Sequence, residues 1–174
     1  MRAFIALELP PEFEGEVAAV ARQLSSVIEA RYIPRENYHI TLAFLGEIGE
    51  PQVRDAADAI ERAAEEIEDI PLAPDGIGKF GKPHNATLWM GIAKAPELMG
   101  LGARVRDELS AHDVPFDEKD FLPHITLARH AEIPSIELPQ LLFPRDDRAS
   151  RLTLFKSTLS KEGAIYKPLH TVEL

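Results

Sequence analysis

His39-Ile40-Thr41-Leu42 recurs in the second half of the chain as His124-Ile125-Thr126-Leu127. The two copies lie in runs typical of β-strands, Tyr38–Leu45 and Pro123–Arg129. Alternate side chains of a strand point to opposite faces. The histidine and threonine of each copy therefore share one face, and the aliphatic residues, with Phe44, are expected on the other. The repeat predicts two core strands whose His–Thr pairs face one groove.

The other hydrophobic patterns predict an α+β protein. Apolar residues at helical spacing predict helices over 12–30, 51–68 and 96–111. Helices and strands alternate, but the strand runs at each end are adjacent, which favours mainly antiparallel sheets. No long linker divides the chain, so residues 1–174 are expected to form one domain of two pseudo-symmetric lobes. Further strands are predicted over 2–9, 72–80, 86–93, 152–160 and 164–172, with a connection over 132–150.

The composition excludes several classes of site. The chain has no cysteine, which removes disulfides, thiolate nucleophiles and cysteine-based metal sites. Its net charge of −10 argues against broad binding to nucleic acid, although a small phosphate site needs only a few local donors. No signal peptide and no apolar run of about 18 residues is present. We therefore expect a cytoplasmic monomer without a membrane partner.

Two histidines in one groove favour proton-transfer chemistry. One imidazole can act as general acid while the other acts as general base, because the ordinary pKa of histidine lies near neutrality. The threonine hydroxyls supply hydrogen-bond donors for phosphate oxygens, so phosphoryl transfer would need no metal, cofactor or covalent nucleophile. Two zinc ligands are the other interpretation, but the sequence has no His-x-x-x-His or His-Glu-x-x-His spacing. A nucleophile-elbow motif for a Ser–His–Asp triad is also absent.

The repeated motif and its surroundings resemble the 2H phosphoesterase superfamily. Within it, the likeness is to the bacterial and archaeal RNA 2′,3′-cyclic phosphodiesterases, also called 2′-5′ RNA ligases, and it covers essentially the whole chain. The residues that carry it are Arg2–Ala6, His39–Gly46, Leu88–Gly91, Pro123–Arg129, Ser157–Ser160 and Gly163–Tyr166.

This resemblance implies a bilobal, pseudo-twofold α+β fold and a function. The implied reaction is hydrolysis of RNA 2′,3′-cyclic phosphate ends to 2′-phosphomonoesters without metal or cofactor, with reverse joining of tRNA halves through a 2′-5′ linkage. It also implies His39 as proton donor and His124 as proton acceptor. Thr41, Thr126 and Arg129 would bind the substrate phosphate.

Several points stay open in the sequence. Strict alternation puts Arg129 on the face opposite His124, so it reaches the groove only if the strand twists, bulges or ends. Ala86 stands where related chains often carry arginine, and Lys79, Lys82 or His84 are candidates for the missing charge. Packing is the expected role of Phe44, Trp89 and Tyr166, and a solvated surface that of Asp117–Asp120. The rival functions are a non-catalytic nucleotide-binding module and a metal-binding protein.

Overall fold

A computed structural model describes residues 1–174. It contains three α-helices, ten strands and one short 3-10 helix at Arg35–Asn37. The helices are α1 (Pro11–Ser25), α2 (Glu50–Ala63) and α3 (Pro96–Ala111). The strands are β1 (Arg2–Glu8), β2 (Glu29–Tyr32), β3 (His39–Glu47), β4 (Ile70–Leu72), β5 (Pro74–Lys82), β6 (Asn85–Ile92), β7 (His124–Glu132), β8 (Asp147–Ala149), β9 (Arg151–Ser160) and β10 (Gly163–Glu173).

The strands form two four-stranded antiparallel sheets and one two-stranded sheet. The first sheet has the order β10–β9–β1–β3 and the second has the order β2–β7–β6–β5, while β4 pairs with β8. Each four-stranded sheet thus contains one His strand, and β3 contacts β7. The predicted α+β class with antiparallel sheets is confirmed, whereas the division into two pseudo-symmetric lobes stays a prediction.

Proline marks the start of every helix. Pro11 and Pro96 are the first residues of α1 and α3, and Pro51 is the second residue of α2. Proline suits these positions because the first turn of a helix has no acceptor for its N–H groups. One cluster of buried apolar side chains draws on both large sheets and all three helices. Its largest fully buried members are Phe13, Ile5, Leu7, Leu24, Ile28, Ile40, Leu42, Ile60, Ile70, Leu72, Met90 and Ile92.

A β-bulge interrupts each His strand directly after its motif. On β3, Thr41 pairs with Ala6 and Ala43 pairs with Ile5, so Leu42 has no partner residue on β1. On β7, Thr126 and Ala128 pair with consecutive residues of β6, and the extra residue is Leu127. Both bulges bury two successive side chains, Leu-Ala in each case. A bulge adds one residue to a strand and so reverses the face on which the later side chains lie.

The predicted element boundaries differ from the observed ones at four places. The first and second helices end at Ser25 and Ala63, before the predicted ends, and β2 follows α1. This four-residue edge strand alternates only between exposed and half-buried side chains, so its sequence carries no apolar signal. The strand predicted over 72–80 is divided between β4 and β5, and the predicted connection over 132–150 contains β8. No helix is both long and apolar enough to cross a bilayer.

The bulge in β7 gives a test of the core. Leu127 has no exposed surface, so Leu127→Ala removes buried methyl groups and leaves a cavity. We expect the free energy of unfolding to fall by about 2–5 kcal/mol, measured by urea denaturation. Leu142→Ala is the matched control, because Leu142 is 80% exposed and its loss is expected to cost at most about 0.5 kcal/mol. Equal losses in the two variants would contradict the buried bulge.

Candidate active site

The two motif histidines are held in the same way. His39 Nδ1 lies 2.7 Å from the carbonyl oxygen of Asn37, and His124 Nδ1 lies 2.6 Å from that of Leu122. A carbonyl oxygen only accepts, so Nδ1 must donate in both rings. Nε2 is then the free ring nitrogen of each histidine, and its protonation state can change without loss of the anchor. Asn37 is itself fixed, because its Nδ2 donates to the carbonyl oxygen of Ala164 over 2.9 Å.

Each imidazole also lies between two aromatic rings. The His39 ring is 4.8 Å from that of Phe4 and meets Tyr166 edge-on at 5.3 Å. The His124 ring meets Phe80 edge-on at 5.2 Å and lies 5.8 Å from the ring of Trp89. These contacts limit rotation of the imidazoles. Trp89 can pack in this way because Gly78 has no Cβ, which would clash with the indole.

The repeated motifs meet in one cavity of about 410 Å³. The cavity contains both motif histidines, both motif threonines and Arg129, so the structure brings all five predicted site residues together. Its wall includes no carboxylate, although Asp and Glu outnumber Lys and Arg by 29 to 19 in the chain. This local exclusion of negative charge favours an anionic ligand. The remaining lining residues are Arg2, Ala3, Phe4, Ile33, Asn37, Phe44, Ser157, Leu159, Ala164 and Tyr166.

Burial changes the protonation of one histidine. Loss of solvation is the main cause that lowers the pKa of His39 to about 4; the hydrogen bond to Asn37 opposes this shift, and the nearby positive charges of His124 and Arg129 add to it. The imidazole of His39 is therefore neutral at pH 7 in the empty groove. Burial also raises the pKa of the Tyr166 phenol, although Arg129 opposes this, so its hydroxyl stays protonated and can donate.

A second cavity, of about 660 Å³, continues the groove on the side of α3. It shares Thr41, Phe44 and the second motif with the first cavity. Here positive and negative side chains are mixed, and the predicted solvated stretch Asp117–Asp120 contributes to the wall. The backbone N–H of Asp117 donates to the carbonyl oxygen of Phe44 over 2.9 Å, which holds this loop against β3. Its charged lining residues are Lys94, Arg106, Asp117, Lys119, Asp120 and Arg129.

Each bulge determines on which face of its strand the fifth residue after the histidine lies. Arg129 and Phe44 are those residues, and both line the two cavities. The condition under which Arg129 was expected to reach the groove, a bulge in its strand, is met. The expectation that Phe44 packs in the core is wrong, because its side chain is 52% exposed. The bulge at Leu42 turns Phe44 back to the face of His39 and Thr41.

Other groove residues were missed in the sequence. Arg2 and Ser157 are neighbours across β1 and β9, and both line the central cavity. Alternation along β1 carries the signal for Arg2, since it shares a face with Phe4. Tyr166 packs against Phe4 and His39, in line with its expected packing role, and it also borders the cavity.

Three residues were considered as substitutes for the arginine that related chains often carry at the position of Ala86, and all three lie outside the groove cavities. Ala86 is 1% exposed, and Lys79, Lys82 and His84 line neither groove cavity. Lys79 Nζ donates to the carbonyl oxygen of Gly81 over 2.9 Å. The positive charge of the groove comes instead from Arg2, Arg129 and the side chains on the α3 side. No group of three or more His, Asp or Glu side chains is arranged to hold a metal ion.

Several known proteins are similar to this chain over nearly its full length. It is 31% identical to the RNA 2′,3′-cyclic phosphodiesterase of Thermotoga maritima, with 98% of this chain and 94% of that protein covered. It is 29% identical to the RNA 2′,3′-cyclic phosphodiesterase of Archaeoglobus fulgidus, with coverage of 99% and 100%.

Solved structures show the same fold. The crystal structure of TT0787 of Thermus thermophilus matches with a TM-score of 0.85 at 27% identity, covering 100% of this chain and 98% of that one. Escherichia coli LigT complexed with 3′-AMP matches with a TM-score of 0.78 at 23% identity, covering 99% and 96%, and this likeness concerns the fold alone. The family model of the 2′-5′ RNA ligase superfamily matches residues 9–157. The chain belongs to the 2′-5′ RNA ligase superfamily.

Proposed function

We propose that this protein is an enzyme that hydrolyses RNA 2′,3′-cyclic phosphate ends to 2′-phosphomonoesters. The observation that carries the proposal is the central cavity. It holds two imidazoles anchored through Nδ1, two threonine hydroxyls and Arg129, and no carboxylate. The activity named for the relatives from T. maritima and A. fulgidus supports the same reaction.

In the proposed reaction, water attacks the phosphorus atom opposite the 3′ oxygen. A bond forms between the water oxygen and phosphorus while the bond between phosphorus and the 3′ oxygen breaks. One histidine takes the proton of the water through Nε2, and the other gives its Nε2 proton to the leaving 3′ oxygen. The product carries a 2′ phosphate and a free 3′ hydroxyl. Thr41, Thr126 and Arg129 bind the non-bridging oxygens, where negative charge must be stabilised.

The assignment of His39 as proton donor and His124 as proton acceptor requires that His39 be protonated when the substrate is bound. The family resemblance implies that His39 donates and His124 accepts. Because the pKa of His39 is lowered to about 4 in the empty groove, His39 must gain a proton when the substrate binds. The bound phosphate supplies the reason, since a negative charge beside an imidazole raises its pKa.

Further parts of the proposal concern the protein's setting. The substrates are RNA ends or nucleotides with a 2′,3′-cyclic phosphate, including tRNA halves, which the reverse reaction would join through a 2′-5′ linkage. The reaction uses no metal and no cofactor. The protein acts as a cytoplasmic monomer, and its single domain consists of two pseudo-symmetric lobes, each with one His-x-Thr motif.

Substitution of the motif residues tests the mechanism. A general acid or base contributes about 10²–10⁴ in rate, so His39→Ala and His124→Ala are each expected to lower kcat by at least about 10². Thr41→Ala and Thr126→Ala are expected to cost less, because each removes one neutral hydrogen bond. The assay is hydrolysis of a short RNA with a 2′,3′-cyclic phosphate end, with the product isomer identified. His84→Ala is the control, because His84 lies outside the groove cavities.

Two outcomes would contradict the enzyme. A folded His124→Ala variant with unchanged turnover would show that His124 takes no part in the reaction. Tight binding of nucleotides without any turnover by the unmodified protein would instead favour the non-catalytic nucleotide-binding module.

Chelation tests the metal-free reaction. Because two imidazoles, two hydroxyls and a guanidinium supply the proton transfers and the anion contacts, hydrolysis is expected to continue at an unchanged rate in excess EDTA. Loss of activity with EDTA that is restored by a divalent ion would replace this mechanism with a metal-dependent one.

The state of His39 is testable by NMR titration of its ring protons. In the free protein we expect His39 to be neutral at pH 6, because its pKa is lowered to about 4. Saturation with a nucleoside 2′-phosphate should protonate it at the same pH, since the phosphate faces the ring. If His39 stays neutral in the complex, a bound phosphate does not raise its pKa enough, and the condition on which His39 acts as the proton donor is not met.

A further inference from the structure

Two arginines lie directly opposite each other at one end of the groove. Arg31 of β2 pairs with Arg129 of β7 in the antiparallel register. Side chains of directly opposed residues lie on the same face, and like charges in this position destabilise a sheet. Asp and Glu outnumber Lys and Arg by 29 to 19 in the chain, so an ion pair with a carboxylate could have compensated these two positive charges.

Both guanidinium groups are uncommitted within the protein. Neither Arg31 nor Arg129 forms an ion pair within 4.0 Å. Arg31 reaches across to the turn between β9 and β10, where a Cβ on Gly163 would lie 3.2 Å from its Nη2. The N–H donors of both arginines thus remain available between β2 and this hairpin.

Both arginines line a cavity of about 200 Å³ that adjoins the central cavity. Arg129, Asn37 and Tyr166 belong to the walls of both. His130 adds a further ring at this end; its backbone is in the left-handed region, with φ at 52°, and its Nδ1 lies 3.1 Å from Asn85 Oδ1. Glu162 is the one carboxylate residue in the wall. The cavity is therefore a small continuation of the groove in which two guanidinium groups outnumber the single carboxylate.

We propose that Arg31, together with Arg129, binds the phosphate on the 5′ oxygen of the terminal nucleotide, which is the first internucleotide phosphate of an RNA end. This inference rests on the proposed function. An RNA that ends in a 2′,3′-cyclic phosphate continues in one direction only, so the next anion along the substrate is this phosphate. Arg129 lies between the two anions, and guanidinium groups bind phosphate oxygens with two parallel N–H donors.

The cavity on the α3 side fits a second phosphate less well. Asp117 and Asp120 alternate there with Lys94, Arg106 and Lys119. Arg106 is already committed, because it donates to the carbonyl oxygens of Leu42 over 3.2 Å and of Lys119 over 2.6 Å. The pair of free arginines is the better anion site.

The test compares a mononucleotide with a dinucleotide. The kcat/KM for a nucleoside 2′,3′-cyclic phosphate without a 5′ phosphate is measured beside that for a dinucleotide with the same end. Arg31→Gln is expected to lower the ratio of dinucleotide to mononucleotide about tenfold, the effect of one charge-assisted hydrogen-bonded contact. Arg31→Lys should restore part of the ratio, because it keeps the charge and loses the planar pair of donors.

Matched controls separate this effect from net charge and stability. Arg54→Gln makes the same charge change on α2 at an exposed residue that forms no ion pair, and it should leave the ratio unchanged. Glu162→Gln removes the carboxylate of the cavity wall and should raise the ratio. Thermal unfolding of each variant checks that the fold is intact.

Binding gives a readout that does not require turnover. Affinities of a nucleoside 2′-phosphate and of a dinucleotide with a terminal 2′-phosphate are measured across a salt series. The dinucleotide should show a steeper dependence of log K on log salt, by about 0.7 for one single-strand phosphate contact, and Arg31→Gln should abolish the difference.

The outcomes of the two proposals are distinct. An unchanged ratio in Arg31→Gln, or an equal loss on both substrates, would overturn the second phosphate site while the hydrolysis stands. Absence of hydrolysis by the unmodified protein would overturn the proposed function, and the binding series would still report whether Arg31 recognises the added phosphate.

Discussion

The groove depends on one irregularity of the backbone, the bulge after each His-x-Thr sequence. A regular strand would keep the fifth residue after the histidine on the core side, where a guanidinium could not be buried without a partner. The extra residues of the two bulges, Leu42 and Leu127, are apolar and are buried in the core. Arg129 and Phe44 thereby line the groove. The same device gives different chemistry in the two strands, a cation in one and an aromatic ring in the other.

The central cavity differs in charge from the molecule as a whole. Carboxylates outnumber cations in the chain, but none lies in the wall of the central cavity. Burial and neighbouring positive charges keep His39 unprotonated at pH 7 in the empty groove. In the proposed reaction, the anionic substrate would itself bring about the protonation of His39 on which the reaction depends. This coupling requires that His39 be well fixed, which the Asn37 carbonyl and the rings of Phe4 and Tyr166 ensure.

Sequence reasoning reached the parts of the molecule that local patterns encode. Helix α3 and the two His strands follow from apolar spacing and from the repeated tetrapeptide, and both His–Thr pairs lie in the groove as predicted. Phe44 was misplaced because a bulge changes the face of a strand and has no reliable local signal. Edge strand β2 depends on pairing with residues far along the chain. Such positions are set by the tertiary fold and are not readable from a short window.

The place of β1 in the first sheet has a consequence for how the protein is made. This strand lies between β3 and β9, so its two neighbours lie far apart in the chain and β9 is synthesised much later than β3. At about 5–20 residues per second the nascent chain carries an open edge on β1 for roughly ten seconds. The wall of the central cavity includes both Arg2 of β1 and Tyr166 of β10. The central cavity therefore cannot be completed before the hairpin of β9 and β10 pairs with β1, and until then β1 exposes an unpaired edge to other chains.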